Sequence, residues 1–186
     1  MPRSATGAAP QSAYQRALRR LARRDHSEAE LRRALAARGH APAEVEAAIE
    51  RLRRERYLDD AGFAERFARS RLAHQGHGRA LIQEGLRRRG VGCSETEAGI
   101  TGALREVDET AVLDTLARRY WRQHARVEPG RRLPRLWAFL VRRGFAPGLV
   151  RDRLSALWPR WADALEGLEP AEPVEAGSLR EHGGEA

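Results

Sequence analysis

Three nine-residue stretches decide the fold: LRRALAARG at 31–39, IQEGLRRRG at 82–90 and LWAFLVRRG at 136–144. Each places an aliphatic residue eight positions before a glycine, a leucine four before it and an arginine directly before it: Leu31, Leu35 and Arg38-Gly39; Ile82, Leu86 and Arg89-Gly90; Leu136, Leu140 and Arg143-Gly144. Residues four apart share one face of an α-helix, so each stretch predicts a helix whose apolar stripe stops at the glycine. Glycine at that point suits a left-handed C-cap, where a Cβ would clash.

The register carries on beyond each glycine, with Val45, Thr96 and Val150 six residues later and Ile49, Ile100 and Leu154 ten residues later. A second helix therefore follows a short turn that ends near Pro42, Cys93 or Pro147. The glycines are 51 and then 54 residues apart, which leaves room for one more helix upstream of each pair. Tyr14, Ala17, Leu18 and Leu21 supply it in the first case, Phe63, Ala64, Phe67 and Ala68 in the second, and Val112, Leu113, Leu116 and Tyr120 in the third. A recurring unit of this length is the signature of a repeat protein. Capping residues agree: Ser27 and Glu30 have capping-box spacing, Asp59 or Asp60 precedes Phe63, and Asp108 or Glu109 opens the last unit. Period-two alternation is absent, and Ala, Leu, Arg and Glu dominate.

The expected architecture is all-α, an elongated array of three tandem three-helix repeats. They are placed at residues 13–56, 57–106 and 107–162, between a disordered N-terminus at 1–12 and an acidic disordered tail at 163–186. From Asp163 onward seven acids face Arg180 alone, a balance of −6, which leaves residues 1–162 at +14 of the net +8. A body that basic points to a polyanionic partner such as nucleic acid. All 34 basic residues are arginine, a bias that a GC-rich genome would also produce, but guanidinium forks grip phosphate and carboxylate in bidentate fashion. The single Cys93 forms no internal disulfide, and neither a spanning apolar run nor a signal-peptide core is evident, so a cytoplasmic protein is expected.

Catalytic readings find little support. His74 and His77 lack the further ligands of a structural zinc site, and Asp59-Asp60 at a helix start reads as a cap before it reads as a carboxylate pair. Gly76-His77-Gly78-Arg79 lacks the Gly-Lys-Ser/Thr of a phosphate-binding loop. No catalytic residue, cofactor or metal is expected. Trp121, Trp137, Trp158 and Trp161 fall in the last third at spacings that favour core packing over base stacking. The informative residues are arginines: Arg16, Arg20 and Arg23 form a stripe on the first helix, Arg66 and Arg69 follow a helical step, and Arg87, Arg88 and Arg89 close another helix. The helix macrodipole and ordinary solvation account for part of each cluster, but recurrence through the chain favours a binding role.

Tyr57-Leu58-Asp59-Asp60, then Phe63-Ala64, Phe67 and Arg69-Ser70-Arg71, resembles the signature of the RecX family of bacterial regulators. Ser27-Glu28-Ala29-Glu30-Leu31 with Leu35 and Gly39, and Gly78 with Ile82, Leu86 and Gly90, extend the likeness across roughly Tyr14 to Leu157. The resemblance implies a protein that binds the RecA recombinase filament on single-stranded DNA, lodges in its groove, and restrains ATP hydrolysis and strand exchange, so modulating DNA repair, recombination and the SOS response. It implies contacts at Arg66, Arg69, Arg71 and Arg79 first, with Arg87 and Arg88 next, and Arg20 and Arg23 join them from the first-helix stripe. Single-stranded DNA would be met directly or through RecA, and a monomer is expected. Two positions depart from the family pattern: Ala34 stands where lysine is common, and Gly85 stands where an acid is common, which predicts a less rigid middle unit. The alternative is an autonomous, non-specific DNA-binding helical protein, although predicted helix starts with Glu, Ala or Leu lack the base-reading residues such modules use.

Overall fold

A computed structural model describes residues 11–161 of the chain, so the expectations for residues 1–10 and for the acidic tail lie outside the described residues. Among these residues there are nine α-helices and no strand: α1 (Ala13–Leu21), α2 (Glu28–Ala36), α3 (Pro42–Arg54), α4 (Asp60–Gln75), α5 (Arg79–Arg89), α6 (Cys93–Glu106), α7 (Glu109–Gln123), α8 (Pro129–Arg142) and α9 (Pro147–Leu157). A 3-10 turn at Pro159–Trp161 follows them. The all-α class read from the sequence is the class observed. The helices group into two compact units, one ending at Val112 and one starting at Leu113.

The aliphatic motif behaves alike at all three places. Leu31, Leu35, Ile82, Leu86, Leu136 and Leu140 are each at most 2% exposed, and Gly39, Gly90 and Gly144 each take a positive φ, between 79° and 88°. A left-handed residue there lets backbone N–H groups beyond the glycine return to the helix end. The N–H groups of His40, Val91 and Phe145 donate to the carbonyls of Leu35, Leu86 and Leu140 at 3.2–3.4 Å. The helix starts are equally explicable. Ser12 caps α1, Ser27 and Glu30 close a capping box on α2, Asp59 caps α4 and Asp108 accepts from the Thr110 amide at 2.8 Å. Pro42, Pro129 and Pro147 open α3, α8 and α9, where a missing N–H goes unnoticed.

The first unit holds two cores. In α1–α3 the small residues Ala13 and Ala17 let α1 lie close over Leu31, Leu35, Ile49 and Leu52, with Tyr14, Leu18 and Leu21 at the margin. In α4–α6 Phe63, Ala64, Ala68 and Leu72 pack on Ile82, Leu86, Ile100 and Ala103. There α4 and α6 approach so closely that a Cβ at Gly99 would come within 2.5 Å of the Ala64 Cβ and 2.7 Å of the α4 backbone. Gly85 does not interrupt α5, which runs unbroken through it. Its bare Cα instead leaves room for the Phe67 ring, since a Cβ would stand 2.9 Å from Phe67 Cζ. The expected softness is thus replaced by a packing role.

The two helix sets of this unit are joined head to tail. The Ser27 hydroxyl, buried at the start of α2, donates to the Arg89 carbonyl at the end of α5 at 2.6 Å and accepts from the Glu30 amide at 3.1 Å. Asp60 accepts from the Glu28 amide at 3.0 Å, and Gly90 sits so near Ala29 that a Cβ would overlap it at 2.5 Å. An orphan carbonyl at the end of α5 and an orphan amide at the start of α2 are thereby satisfied by side chains from across the junction, Ser27 and Asp60 respectively.

The second unit buries Leu113, Ala117, Leu133, Leu136, Leu140, Phe145, Val150 and Leu154 at 2% exposure or less. Trp137 is buried and Trp121 packs on Trp158 with ring centroids 4.8 Å apart, so these three tryptophans are packing residues. Arg132 is buried with them. Its Nε and terminal nitrogens donate to the carbonyls of Val127 and Ala125 at 2.6–3.0 Å, and its guanidinium lies 4.4 Å from the Trp121 ring centroid.

Candidate polyanion interface

The arginines singled out from the sequence fall into two classes, separated by whether the fold supplies a carboxylate. On α4 and α5 it does. Arg66 Nε pairs with Asp25 at 2.6 Å, and Arg69 bridges Glu65 at 2.9 Å and Glu106 at 3.0 Å. Arg79 pairs with Glu97, and Arg87 and Arg88 both reach Glu84 at 2.7 Å. The paired guanidiniums hold the Glu84 carboxyl down to about 2, and Glu84 in turn raises the Arg87 pKa. Arg71 has no ion pair among the described residues. It reaches the Gln75 side chain and stacks on Phe67 at 4.9 Å, while Arg89 approaches the same ring at 4.6 Å. The α4 and α5 arginines stay partly exposed, so their charge is felt by a partner, but most of it is shared with acids of the same chain.

Arg20 and Arg23 are different. They line an open bowl of about 490 Å³ in the α1–α3 set, together with Gln11, Arg16, Arg19, Arg24, His26 and Arg38. The spacing of α1 explains part of the gathering: Arg16 and Arg20 lie one helical turn apart with Arg19 beside them, while Arg23, expected on the same helix, falls in the turn after α1 ends at Leu21. Arg38 reaches the same place from the turn between α2 and α3. Of these six arginines only Arg24 forms an ion pair among the described residues, with Glu30 at 3.1 Å. Arg16 belongs to the stripe read from the sequence, although the contacts expected there were at Arg20 and Arg23; Arg19 and Arg38 were not put forward for binding, and His26 gave no signal of its own. The doublets Arg19-Arg20 and Arg23-Arg24 in RRLARR were the available clue.

His26 closes the base of the bowl. Its side chain is 4% exposed, and Nδ1 stands 3.3 Å from Glu30 Oε2 without hydrogen-bond geometry. Burial, then the neighbouring Arg24, lower its pKa from the ordinary 6.5, with Glu30 opposing. Arg16 Nε is likewise shut from solvent without a hydrogen-bond acceptor among the described residues.

Within the Tyr57-Leu58-Asp59-Asp60 stretch three residues have structural duties and one does not. Leu58 is buried, Asp59 caps α4 and Asp60 holds the Glu28 amide, with burial raising its pKa. Tyr57 is 57% exposed, the one large hydrophobic side chain so placed among the described residues. It follows Arg56, whose φ of 59° makes it the only non-glycine in the left-handed region among these residues. No helix of the described residues is long and apolar enough to cross a membrane, and no group of three or more His, Cys, Asp or Glu is gathered there to hold a metal.

Comparison with known proteins bears on this surface. Residues 13–52 match the sequence model of the first three-helix domain of RecX, and residues 59–97 match that of the second. The chain is 39% identical over 158 residues to the regulatory protein RecX of Halorhodospira halophila, a match that covers 82% of this chain and 92% of the relative. It is 35% identical over 144 residues to the regulatory protein RecX of Trichlorobacter lovleyi, covering 77% and 94%. The crystal structure of RecX from Lactobacillus salivarius superposes with a TM-score of 0.70 at 17% identity, covering 78% of this chain and 94% of that one, and so shares its fold.

Proposed function

The chain belongs to the RecX family of regulatory proteins, and from that premise we propose that it is a negative regulator of the RecA recombinase. In this reading it binds the RecA filament on single-stranded DNA along its groove and slows ATP hydrolysis and strand exchange. It works as a monomeric cytoplasmic protein by binding and not by chemistry of its own. The observation that carries the reading is family likeness across about four-fifths of the chain at 39% identity, which includes both three-helix domains.

The charge distribution supports it. A nucleoprotein filament offers phosphate and acidic protein side by side, and arginine serves both. The partly exposed, carboxylate-paired Arg66, Arg69, Arg79, Arg87 and Arg88 suit contact with a protein surface, where their acids exchange partners at little net expense. The exposed Tyr57, beside Arg56, is of the residue type that anchors protein interfaces.

The test is to add the purified chain to RecA filaments on single-stranded DNA and follow ATP hydrolysis together with filament length. Inhibition at substoichiometric protein is expected. If hydrolysis and length both stay unchanged, the regulatory reading is wrong and the autonomous DNA-binding alternative takes its place.

A further inference from the structure

We infer that the bowl over α1 is a dedicated phosphodiester clamp, in which Arg16, Arg19, Arg20, Arg23 and Arg38 grip consecutive phosphates of single-stranded nucleic acid. The inference rests on the regulatory reading only for the presence of that strand. It goes beyond it in naming where the strand is held and which arginines leave it alone.

The case starts from a charge imbalance that folding left in place. Elsewhere in the first unit about half of the arginines find carboxylates, as Arg32 does with Glu46 and Arg53 with Glu28, and those that do not, such as Arg71 and Arg105, are scattered and line no common concavity with one another. The five bowl arginines form no ion pair among the described residues, although Glu44 lies near enough to α1 to accept from the Ala13 amide at 2.9 Å. Like charges gathered in one concavity repel each other, and an anion seated among them turns that repulsion into attraction. Two polar groups at the wall add a second observation. The nine-tenths-buried His26 keeps Nδ1 without a hydrogen bond, and Arg16 Nε is buried without an acceptor. An unpaired buried donor is unfavourable, and the chain itself offers Arg16 Nε no acceptor among the described residues, so the wall of the bowl holds polar groups that folding did not satisfy.

The dimensions suit a strand. Liquid water takes about 30 Å³ per molecule, so a bowl of about 490 Å³ has room for a hydrated stretch of backbone. Its open form suits a partner that enters and leaves sideways. Guanidinium forks also bind carboxylates, but side-chain carboxylates of a protein are rarely packed as densely as the phosphates of a strand, and five cations in one concavity answer that density.

The experiment measures affinity of the full chain for a fluorescently labelled oligothymidylate, without RecA, over a range of salt. The variants are Arg20→Gln with Arg23→Gln and, as the control of equal charge change, Arg118→Gln with Arg119→Gln, two exposed arginines of α7 outside the bowl. Far-ultraviolet circular dichroism checks that both fold. The bowl variant should lose about tenfold or more in affinity, and its slope of log affinity against log salt should flatten by about 1.4, from about 0.7 for each phosphate contact on a single strand. The control should stay within about twofold of the parent. Tripolyphosphate should displace the oligonucleotide far better than polyglutamate of equal charge.

Equal losses in the two variants, or an unchanged salt slope, would overturn the clamp. So would displacement by polyglutamate as effective as by tripolyphosphate, which would make the bowl a site for acidic peptide. The result separates from the regulatory test. A chain that leaves RecA filaments untouched yet shows the flattened slope refutes the regulator and upholds the clamp, and the converse pattern refutes the clamp alone.

Discussion

Replacing Gly99 with alanine should weaken the fold, whereas the same change at Gly102, three residues on along α6, should not. Alanine is preferred over glycine in a helix interior by about 0.8–1.0 kcal/mol, so propensity alone stabilises both variants. The surroundings then decide the sign. A Cβ at Gly99 would press on Ala64 Cβ at 2.5 Å and on the α4 backbone at 2.7 Å, far inside the 3.4–4 Å of ordinary contact. Backbone yields only by moving a whole helix, and overpacking of this kind costs about 1–3 kcal/mol. The net expectation for Gly99→Ala is a destabilisation of up to about 2 kcal/mol, or a midpoint lower by up to roughly 8 °C.

At Gly102 the Cβ would meet only the Glu65 side chain at 2.9–3.2 Å, whose far end swings away. The Glu65–Arg69 pair at 2.9 Å is partly exposed, and such pairs are worth about 0–1 kcal/mol. Gly102→Ala should therefore lie between the parent and about 1 kcal/mol above it. Thermal unfolding followed by circular dichroism at 222 nm reads both. A Gly99→Ala midpoint equal to or above that of Gly102→Ala would refute the claim that α4 and α6 are packed to backbone contact.

Three other outcomes follow from the same reasoning. Gly85→Ala should lower the unfolding midpoint despite the better helix former, because its Cβ would displace Phe67 from between Arg71 and Arg89; a Phe67→Leu background should relieve the loss, and no relief would reject that explanation. Arg132→Met should destabilise the second unit by about 2–4 kcal/mol, since it strips the Ala125 and Val127 carbonyls of a charged donor; a change under about 1 kcal/mol in urea unfolding would contradict it. His26 is flanked by Arg20, Arg24 and Glu30, and Glu30 also lies 3.8 Å from Arg89 of α5. Its pKa is lower in the folded chain than the ordinary 6.5, so its contribution to stability is complete above that value and is lost as the pH falls below it; His26→Gln should show a smaller drop in midpoint between neutral and mildly acidic pH, and an equal drop would place the sensitivity elsewhere.

How much of this was legible in the sequence depends on the distance over which each feature is encoded. The helices were legible because their signals are local. The motif at Leu31, Leu35 and Gly39 fixes a stripe and a stop within nine residues, and Ser27 with Glu30 fixes a start within four. The state of the arginines was legible only where the partner sits at helical spacing, as Glu65 does for Arg69 and Glu84 for Arg87 and Arg88; elsewhere the partner comes from a distant part of the chain. Arg66 meets Asp25 across 41 positions and Arg79 meets Glu97 across 18, and neither separation has a period to read. Gly85 looked like a weakness for the same reason: the ring that needs its bare Cα belongs to α4. The bowl was half visible, in Arg16 and Arg20 at helical spacing, and half hidden, since Arg23, Arg38 and His26 arrive from the segments that follow helices.

The bond from the Ser27 hydroxyl to the Arg89 carbonyl bears on how such chains are cut and recombined. A truncation that removes α1–α3 would strand that carbonyl and expose the flank of Gly90, so the shortened product should aggregate or melt early even though every helix of α4–α6 is retained. Bricks that look interchangeable on paper are mortared here at a residue each borrows from the other. A chimera should place its crossover after Val107, and not at the inviting boundary near Tyr57.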